Sequence, residues 1–147
     1  MKLIFTLAFV SFFVQGYSTP CNQSNSLISV KKKKIGNADY VIFTLKLPVT
    51  ATNSMTSATP PFIQDGSGAT ITIAGCAYKK VTFNNIVWTC KTKIISHSTQ
   101  FVQKVKNIGQ FEGIISYVIG YKCTANSVVS YSYIAGSYQK FVVRFKH

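Results

Sequence analysis

Apolar and polar residues alternate along most of this chain, as they do in β-strands that bury one face and expose the other. The alternation is clearest in residues 140–146, where Phe141, Val143 and Phe145 fall on one face and Lys140, Arg144 and Lys146 on the other. β-branched, aromatic and hydroxyl residues dominate, and no apolar stripe continues at helical spacing for three turns. The pattern therefore predicts an all-β fold, an antiparallel β-sandwich of about eight strands.

Two similar stretches, residues 70–83 and 130–145, each predict a β-hairpin. In both, hydroxyl residues alternate with Ile or Tyr, an Ile-Ala-Gly tripeptide follows, and Tyr with basic residues then leads into Val and Phe. Glycine favours tight turns, so each stretch is interpreted as strand, turn and strand.

Residues 27–47 predict another hairpin, with its turn at residues 36–39 and Pro48 ending its second strand. Residues 49–62 are rich in Thr, Ser, Ala and Asn, show no periodicity and end in Pro-Pro. That composition predicts a long exposed loop.

The dipeptide Asn84-Asn85 predicts a two-residue turn, because Asn tolerates a positive φ, and residues 86–95 are then the returning strand. That strand carries Trp88, for which core packing and an exposed contact are both open. A further turn is predicted at residues 107–110, before a longer strand over residues 111–122.

The N-terminus has the pattern of a secretory signal peptide. Lys2 precedes an apolar run over residues 3–14, and small or polar residues follow. We expect residues 1–18 to be the signal and residues 19–147 a single secreted β-domain. The alternative, a membrane anchor, needs about 20 apolar residues, more than this run supplies. Asn22 begins an Asn-Gln-Ser sequon and is a candidate glycosylation site.

The four cysteines, Cys21, Cys76, Cys90 and Cys123, predict two disulfides, because an even count in an exported chain indicates a disulfide framework. Three pairings are open. We favour Cys76–Cys90, which flank one predicted hairpin, and this leaves Cys21 with Cys123. No Cys-x-x-Cys motif occurs and the chain has two histidines, so no zinc or other metal site is expected.

The chain is strongly basic, with 16 Lys and Arg against 3 Asp and Glu and a net charge of +13. Such a charge attracts anionic cell surfaces, glycans and nucleic acid, and the secretory signal makes nucleic acid the least favoured of these. The densest run is Lys31, Lys32, Lys33 and Lys34. In an extended segment two of these side chains face each side, which predicts a sheet edge or a loop. An anion-binding patch and a solvated edge are both open.

Sequence motifs for catalysis are missing. The carboxylates are Asp39, Asp65 and Glu112, and the first two fall in predicted turns. The sequence contains no nucleophile elbow, phosphate-binding loop, zinc-protease motif or calcium loop. We therefore expect a protein that is not an enzyme and has no catalytic residue and no cofactor.

Five tyrosines lie near the two similar stretches, and both target recognition and cross-strand packing are open for them. They are Tyr78, Tyr121, Tyr131, Tyr133 and Tyr138.

Residues 68–83, Gly-Ala-Thr-Ile-Thr-Ile-Ala-Gly-Cys-Ala-Tyr-Lys-Lys-Val-Thr-Phe, with Asp65 before them, resemble the core of the small secreted insect proteins of the multiprotein bridging factor two family. The shared order is an Asp, a Gly-rich turn, an alternating strand, a Gly break and a Val/Phe strand. The chain has Gly75-Cys76 where the family has paired glycines. The resemblance implies an arthropod protein of saliva, haemolymph or venom, and it transfers no catalytic site.

These observations predict a secreted, non-enzymatic effector of the venom or saliva type, which binds an anionic or protein target outside the cell. Two alternatives remain: a membrane-active or antimicrobial cationic protein, and a lectin-like extracellular structural protein.

Overall fold

The computed structural model describes residues 20–147, and every regular element in that part of the chain is a β-strand. The predicted signal peptide, residues 1–18, lies outside the described residues. In chain order the strands are β1 (Leu27–Ile35), β2 (Ala38–Lys46), β3 (Thr52–Ala58), β4 (Phe62–Ile63), β5 (Thr70–Ile71), β6 (Ala77–Asn84), β7 (Lys93–Ser96), β8 (Val102–Phe111), β9 (Ile114–Tyr121), β10 (Ser127–Ala135) and β11 (Tyr138–Lys146).

Nine of these strands form two larger sheets. The five-stranded sheet has the order β10-β11-β2-β1-β7, and the four-stranded sheet has the order β3-β6-β9-β8. All neighbouring strands are antiparallel except β1 and β7, which are parallel. β4 and β5 form a separate two-stranded pair. The predicted all-β, antiparallel fold class is confirmed.

The two larger sheets pack face to face through their aromatic side chains. Phe43 of β2 contacts Phe83 of β6 and Tyr117 of β9, with ring centroids 5.3 and 5.5 Å apart. Phe141 of β11 meets Phe83 edge-on at 5.8 Å. The inner face of the five-stranded sheet follows the two-residue period of its strands. Its buried residues include Val41, Phe43 and Leu45 on β2 and Phe141, Val143 and Phe145 on β11.

Two predicted hairpins are confirmed. β1 and β2 join through a two-residue turn at Gly36-Asn37, and β10 and β11 join through Gly136-Ser137. Both glycines have a φ of +59°, the left-handed conformation that favours glycine in such turns.

The hairpin predicted over residues 70–83 is wrong. β5 pairs with β4, whereas β6 pairs with β3 and β9. Between β5 and β6 the chain passes directly over Gly120 of β9, where a Cβ atom would lie 2.1 Å from the Ala74 carbonyl oxygen. The approach of this segment to β9 carries β6 into the four-stranded sheet, so tertiary packing overrides the local likeness to the β10–β11 stretch.

The exposed loop predicted over residues 49–62 is also wrong, because it contains β3. This strand pairs along its whole length with β6, from Thr52 opposite Asn84 to Ala58 opposite Tyr78. As an edge strand it is mostly exposed, and its small polar side chains give no apolar alternation.

Asn85 has the expected positive φ, 55°, yet the predicted returning strand over residues 86–95 is wrong. After Ile86 the chain crosses to the other sheet, where β7 runs parallel to β1. Trp88 lies on this crossing, half-buried at the periphery of the core, and meets Phe111 edge-on at 5.5 Å.

The turn between β8 and β9 lies at Glu112-Gly113, with φ values of 47° and 78°, and not at residues 107–110. The predicted turn residues belong to β8, where the pairing register shifts between Asn107 and Gly109. Asn and Gly favour bulges as well as turns, which explains the error.

The disulfides are Cys21–Cys90 and Cys76–Cys123, so the favoured pairing is wrong. Cys76 lies just before β6 and Cys123 just after β9, and these strands are neighbours. The backbone N–H of Cys21 donates to the Lys91 carbonyl at 3.3 Å, which places Cys21 beside Cys90. Both pairings follow from strand order and not from the local hairpin that we expected.

Candidate functional site

The outer side of the five-stranded sheet, which points away from the core, gathers seven basic residues. Paired residues in neighbouring strands point to the same side, and residues two apart along a strand share a side. The register therefore places on this side a set that we call the cationic face: Lys31, Lys33, Lys46, Lys93, Lys140, Arg144 and Lys146.

The lysine run of β1 is divided between the two sides of the sheet, as predicted. Lys31 and Lys33 pair with Ile42 and Tyr40 and belong to the cationic face. Lys32 and Lys34 point to the other side, and Lys32 Nζ donates to the Gln103 carbonyl oxygen at 3.4 Å.

The prediction of an edge or loop for this run is wrong for its first half. β1 lies between β2 and β7, and its pairing with β7 extends to Lys32. Only Lys33 and Lys34 extend beyond the end of β7. That the four lysines contact an anion stays a prediction.

Four tyrosines accompany the basic residues of the cationic face: Tyr40, Tyr131, Tyr133 and Tyr138. The Tyr138 ring lies between Lys46 and Lys140, whose Nζ atoms are 5.3 and 5.2 Å from its centroid, within cation–π range. Tyr131 and Tyr133 of β10 stack with centroids 6.3 Å apart and are 44% and 46% exposed.

The other two tyrosines of the predicted set are packed against aromatic rings. Tyr121 contacts Phe145 at 4.9 Å, and Tyr78 contacts Phe62 at 5.0 Å. The Tyr78 hydroxyl donates to the Gly75 carbonyl oxygen at 2.6 Å. The set is therefore divided between surface and core.

Lys140 is the most constrained cation of the cationic face. Its Nζ donates to Thr44 Oγ1 at 2.9 Å. Partial burial lowers the pKa of Lys140, and the positive charge of Lys31 lowers this pKa further. Two cations are thus held close enough to repel each other, so a bound anion would relieve that repulsion.

Arg144, on the same strand, has a side-chain nitrogen, Nε, that is buried and has no hydrogen-bond partner among the described residues. Between Lys140 and Arg144, Val142 is only 1% exposed although it lies on the outer side. Neighbouring side chains of the outer side must therefore cover Val142.

The spacing of these cations suits a ligand that carries several negative charges. Lys140 and Arg144 are four residues apart on β11, or about 13 Å along the strand. Neighbouring strands lie about 4.8 Å apart and carry further lysines. A single small anion can meet only part of this area.

The three carboxylates lie elsewhere in the described part of the chain. Asp39 is fully buried and accepts the backbone N–H groups of Gln100, Phe101 and Val102. It was predicted in a turn but lies within β2, where it anchors the start of β8. Its role is therefore to hold the two sheets together.

Asp65 and Glu112 line one cleft of about 410 Å³, together with Gln110, Phe111 and Ile114. Asp65 lies between β4 and β5, and its backbone N–H donates to the Ile108 carbonyl oxygen at 2.9 Å. Phe111 is 57% exposed. Sequence reasoning did not bring these two carboxylates together, because the β4–β5 pair had not been predicted.

A larger cleft of about 510 Å³ lies beside the Cys21–Cys90 disulfide, lined by Pro20, residues 91–93 and Ile94. Its neighbour, of about 320 Å³, reaches Tyr117 in the core. Burial raises the pKa of Tyr117, and the side chains of Asn107 and Thr92 partly offset that rise. The hydroxyl is therefore neutral at physiological pH. Within residues 20–147, no three His, Cys, Asp or Glu side chains are grouped to hold a metal ion.

Sequence reasoning missed Lys46, Lys93, Lys140, Arg144 and Lys146 as partners of the predicted lysine patch. The alternation along the last strand did indicate that its basic residues share a face. What it could not indicate is that β11 lies beside β2, since Lys140 and Thr44 are 96 residues apart. Asn22 is exposed, and its glycosylation stays a prediction.

In the part of the chain that the structure describes, no helix has the length and apolar character needed to cross a membrane. The two disulfides are compatible with an extracellular protein. Comparison of the chain with protein-family models, with curated proteins and with solved structures gave no match. The resemblance to the multiprotein bridging factor two family therefore stays a prediction.

Proposed function

We propose that this protein is a secreted, non-enzymatic effector of the venom or saliva type, which binds a polyanion on a cell surface or in the extracellular matrix. The observation that carries the proposal is the cationic face, where seven basic side chains and four tyrosines share one side of a sheet without a carboxylate among the described residues.

The chemistry of this face favours sulfate or phosphate groups presented in a row. Lysine and arginine bind such groups through charge, and the exposed Tyr131 and Tyr133 rings offer flat apolar surfaces to sugar rings or lipid headgroups. Sulfated glycans and anionic lipids share this chemistry, and experiment must separate them.

Two triple variants with equal loss of charge test the proposal. The first, Lys31→Gln/Lys33→Gln/Lys46→Gln, removes three charges from the cationic face. The matched control, Lys34→Gln/Lys104→Gln/Lys122→Gln, removes three exposed lysines from elsewhere. Affinity for a sulfated oligosaccharide is measured by fluorescence anisotropy at several salt concentrations.

We expect the first variant to lose at least tenfold more affinity than the control and to show a weaker salt dependence, because fewer ion contacts remain to be screened. Equal losses in the two variants would mean that only the net charge matters and would overturn the assignment to the cationic face.

Binding to dye-loaded vesicles, and leakage of the dye, test whether the anionic target is a lipid. Binding to anionic vesicles without leakage, together with tighter binding to the sulfated oligosaccharide, supports a glycan target. Leakage confined to anionic vesicles would instead favour the membrane-active alternative.

A second candidate function, lectin-like binding of neutral glycans, is favoured by the cleft that Asp65, Glu112 and Phe111 line. Carboxylates accept hydrogen bonds from sugar hydroxyls, and an exposed aromatic ring packs against a sugar face. Neutral glycan binding that resists high salt and is lost in Asp65→Asn/Glu112→Gln would support it. Neutral glycan binding that persists in this variant would exclude the cleft as the binding site.

A further inference from the structure

We propose that two copies of this chain pair antiparallel through β10, so that their five-stranded sheets join into one continuous sheet of ten strands. This inference does not rest on the proposed function, because it concerns an edge of the sheet and is tested without a polyanion.

β10 is an unprotected edge strand. Among residues 20–147 it lies at the end of the five-stranded sheet and has a neighbour, β11, on one side only. Its nine residues pair with β11 without a register shift, and the sequence Ser-Val-Val-Ser-Tyr-Ser-Tyr-Ile-Ala contains no charge and no proline. Natural proteins protect edge strands with charged residues, prolines or bulges. A long edge strand without any of these therefore indicates a surface that pairs with another strand.

Both sides of β10 are accessible over most of its length. Residues 129–135 are exposed regardless of which side of the sheet they face, and Ile134 is 69% exposed. The β10–β11 hairpin therefore projects beyond the four-stranded sheet, which leaves room for a partner strand.

The other edges are less suited to pairing. β7 has four residues and begins with Lys93. β8 carries Lys104 and Lys106 and two register shifts. β3 lacks charge, but its side chains are small and polar apart from Met55 and Ala58, so a partner would gain little apolar contact there.

A second copy of the chain is the occupant that fits β10, because the strand is complementary to itself. A twofold axis at Tyr131, the central residue of Ser127–Ala135, pairs all nine residues. Tyr131 then faces its own copy, Val129 faces Tyr133, and Val128 faces Ile134. Aromatic and β-branched residues form favourable cross-strand pairs.

Pairing over nine residues also supplies enough hydrogen bonds. An antiparallel pair of this length forms about nine backbone hydrogen bonds, close to the ten or so of a typical protein interface. The interface is isologous, so the assembly closes as a dimer through this edge.

The strong positive charge does not prevent this approach. β10 is uncharged, and the nearest strand of the five-stranded sheet that carries cations is β11 in each copy. The two β11 strands would lie three strand spacings apart, about 14 Å, whereas the screening length at physiological salt is about 8 Å. The dimer would present two cationic faces on one side of the ten-stranded sheet.

Sedimentation analysis of the mature, oxidised protein over a wide concentration range, at physiological salt and without polyanion, tests the dimer. We expect a reversible monomer–dimer equilibrium. Tyr131→Lys places two like charges opposite each other at the twofold axis and should weaken the dimer at least tenfold. Ser54→Lys, the matched control on the edge strand β3, should leave it unchanged.

A cross-linking variant tests the register. Opposed residues in an antiparallel pair have Cα atoms about 4.5–5.5 Å apart, within disulfide range. Tyr131→Cys should therefore form an intermolecular disulfide under mild oxidation, and Ser54→Cys should not. A monomer at every concentration, or a dimer equally tolerant of both lysine substitutions, would overturn the inference. The Lys31→Gln/Lys33→Gln/Lys46→Gln variant, whose substitutions lie away from β10, tests the proposed function separately: it should still dimerise while it loses polyanion affinity.

Discussion

At the scale of single residues, polar side chains in this protein acquire their roles from elements distant in sequence. The Asn25 side chain accepts from the backbone N–H groups of Thr50 and Ala51 and donates to the Asn85 carbonyl oxygen. It thereby ties three segments together, as Asp39 ties β2 to the start of β8. Buried or half-buried polar groups of this kind are costly unless paired, so each fixes the position of the backbone it binds.

Lys140 should make anion binding depend on pH in the alkaline range. Burial and the charge of Lys31 lower its pKa from the ordinary 10.5, so Lys140 is charged below that lowered pKa and loses its proton as pH rises through it. A bound anion favours the charged form. Affinity for a sulfated oligosaccharide should therefore fall as pH rises through the lowered pKa of Lys140, which anisotropy titrations at increasing pH would detect.

The control is Lys140→Arg, because the guanidinium stays charged throughout this range. Its affinity should persist to higher pH than that of the unmodified protein. Identical pH profiles for the two proteins would show that Lys140 does not contact the anion.

At the scale of elements, the position of β6 depends on how closely the chain passes over β9. The backbone between β5 and β6 lies against Gly120. The end of this segment next to β6 is held by the hydrogen bond from Tyr78 to Gly75 and by the Cys76–Cys123 disulfide. A short segment with no regular structure thus determines that residues 70–83 do not form a hairpin.

Gly120→Ala should destabilise the protein by about 2 kcal/mol, within the range for overpacked sites. The added Cβ would lie 2.1 Å from the Ala74 carbonyl oxygen, a backbone atom that cannot rotate away. Urea unfolding of the oxidised protein measures the change. Gly36→Asn is the control, since its position has a φ of +59°, which Asn tolerates, and nothing within 4 Å of a Cβ. Equal stabilities of the two variants would contradict the close packing at Gly120.

At the scale of the whole molecule, the two disulfides connect segments that the chain order separates. The sequence separations are 69 residues for Cys21–Cys90 and 47 for Cys76–Cys123. In the chain-entropy model, loops of these lengths contribute about 4 kcal/mol each to stability. Long loops constrain the unfolded chain more than the short Cys76–Cys90 loop would have done.

Peptide mapping without reduction should yield two linked pairs of peptides, Cys21 with Cys90 and Cys76 with Cys123. Replacing either pair with serines should lower the free energy of unfolding by about 4 kcal/mol. A peptide that links Cys76 to Cys90 would contradict this strand arrangement.

The sequence by itself determined the all-β class, the buried faces of β2 and β11, and the two hairpins with Gly turns. These features are local: alternation with a period of two decides which side chains are buried, and a left-handed glycine decides where a tight turn forms. The same alternation indicated that Lys31 and Lys33 point to one side of β1 and Lys32 and Lys34 to the other.

The tertiary structure alone decided which strands are neighbours, which cysteines pair, and that the lysines of β1 and β2 share a face with the basic residues of β11. Strands with similar alternation can pair with many partners, so local sequence does not choose among them. Here the choice depends on contacts between distant segments, such as the passage of the chain over Gly120 and the hydrogen bonds that Asp39 accepts.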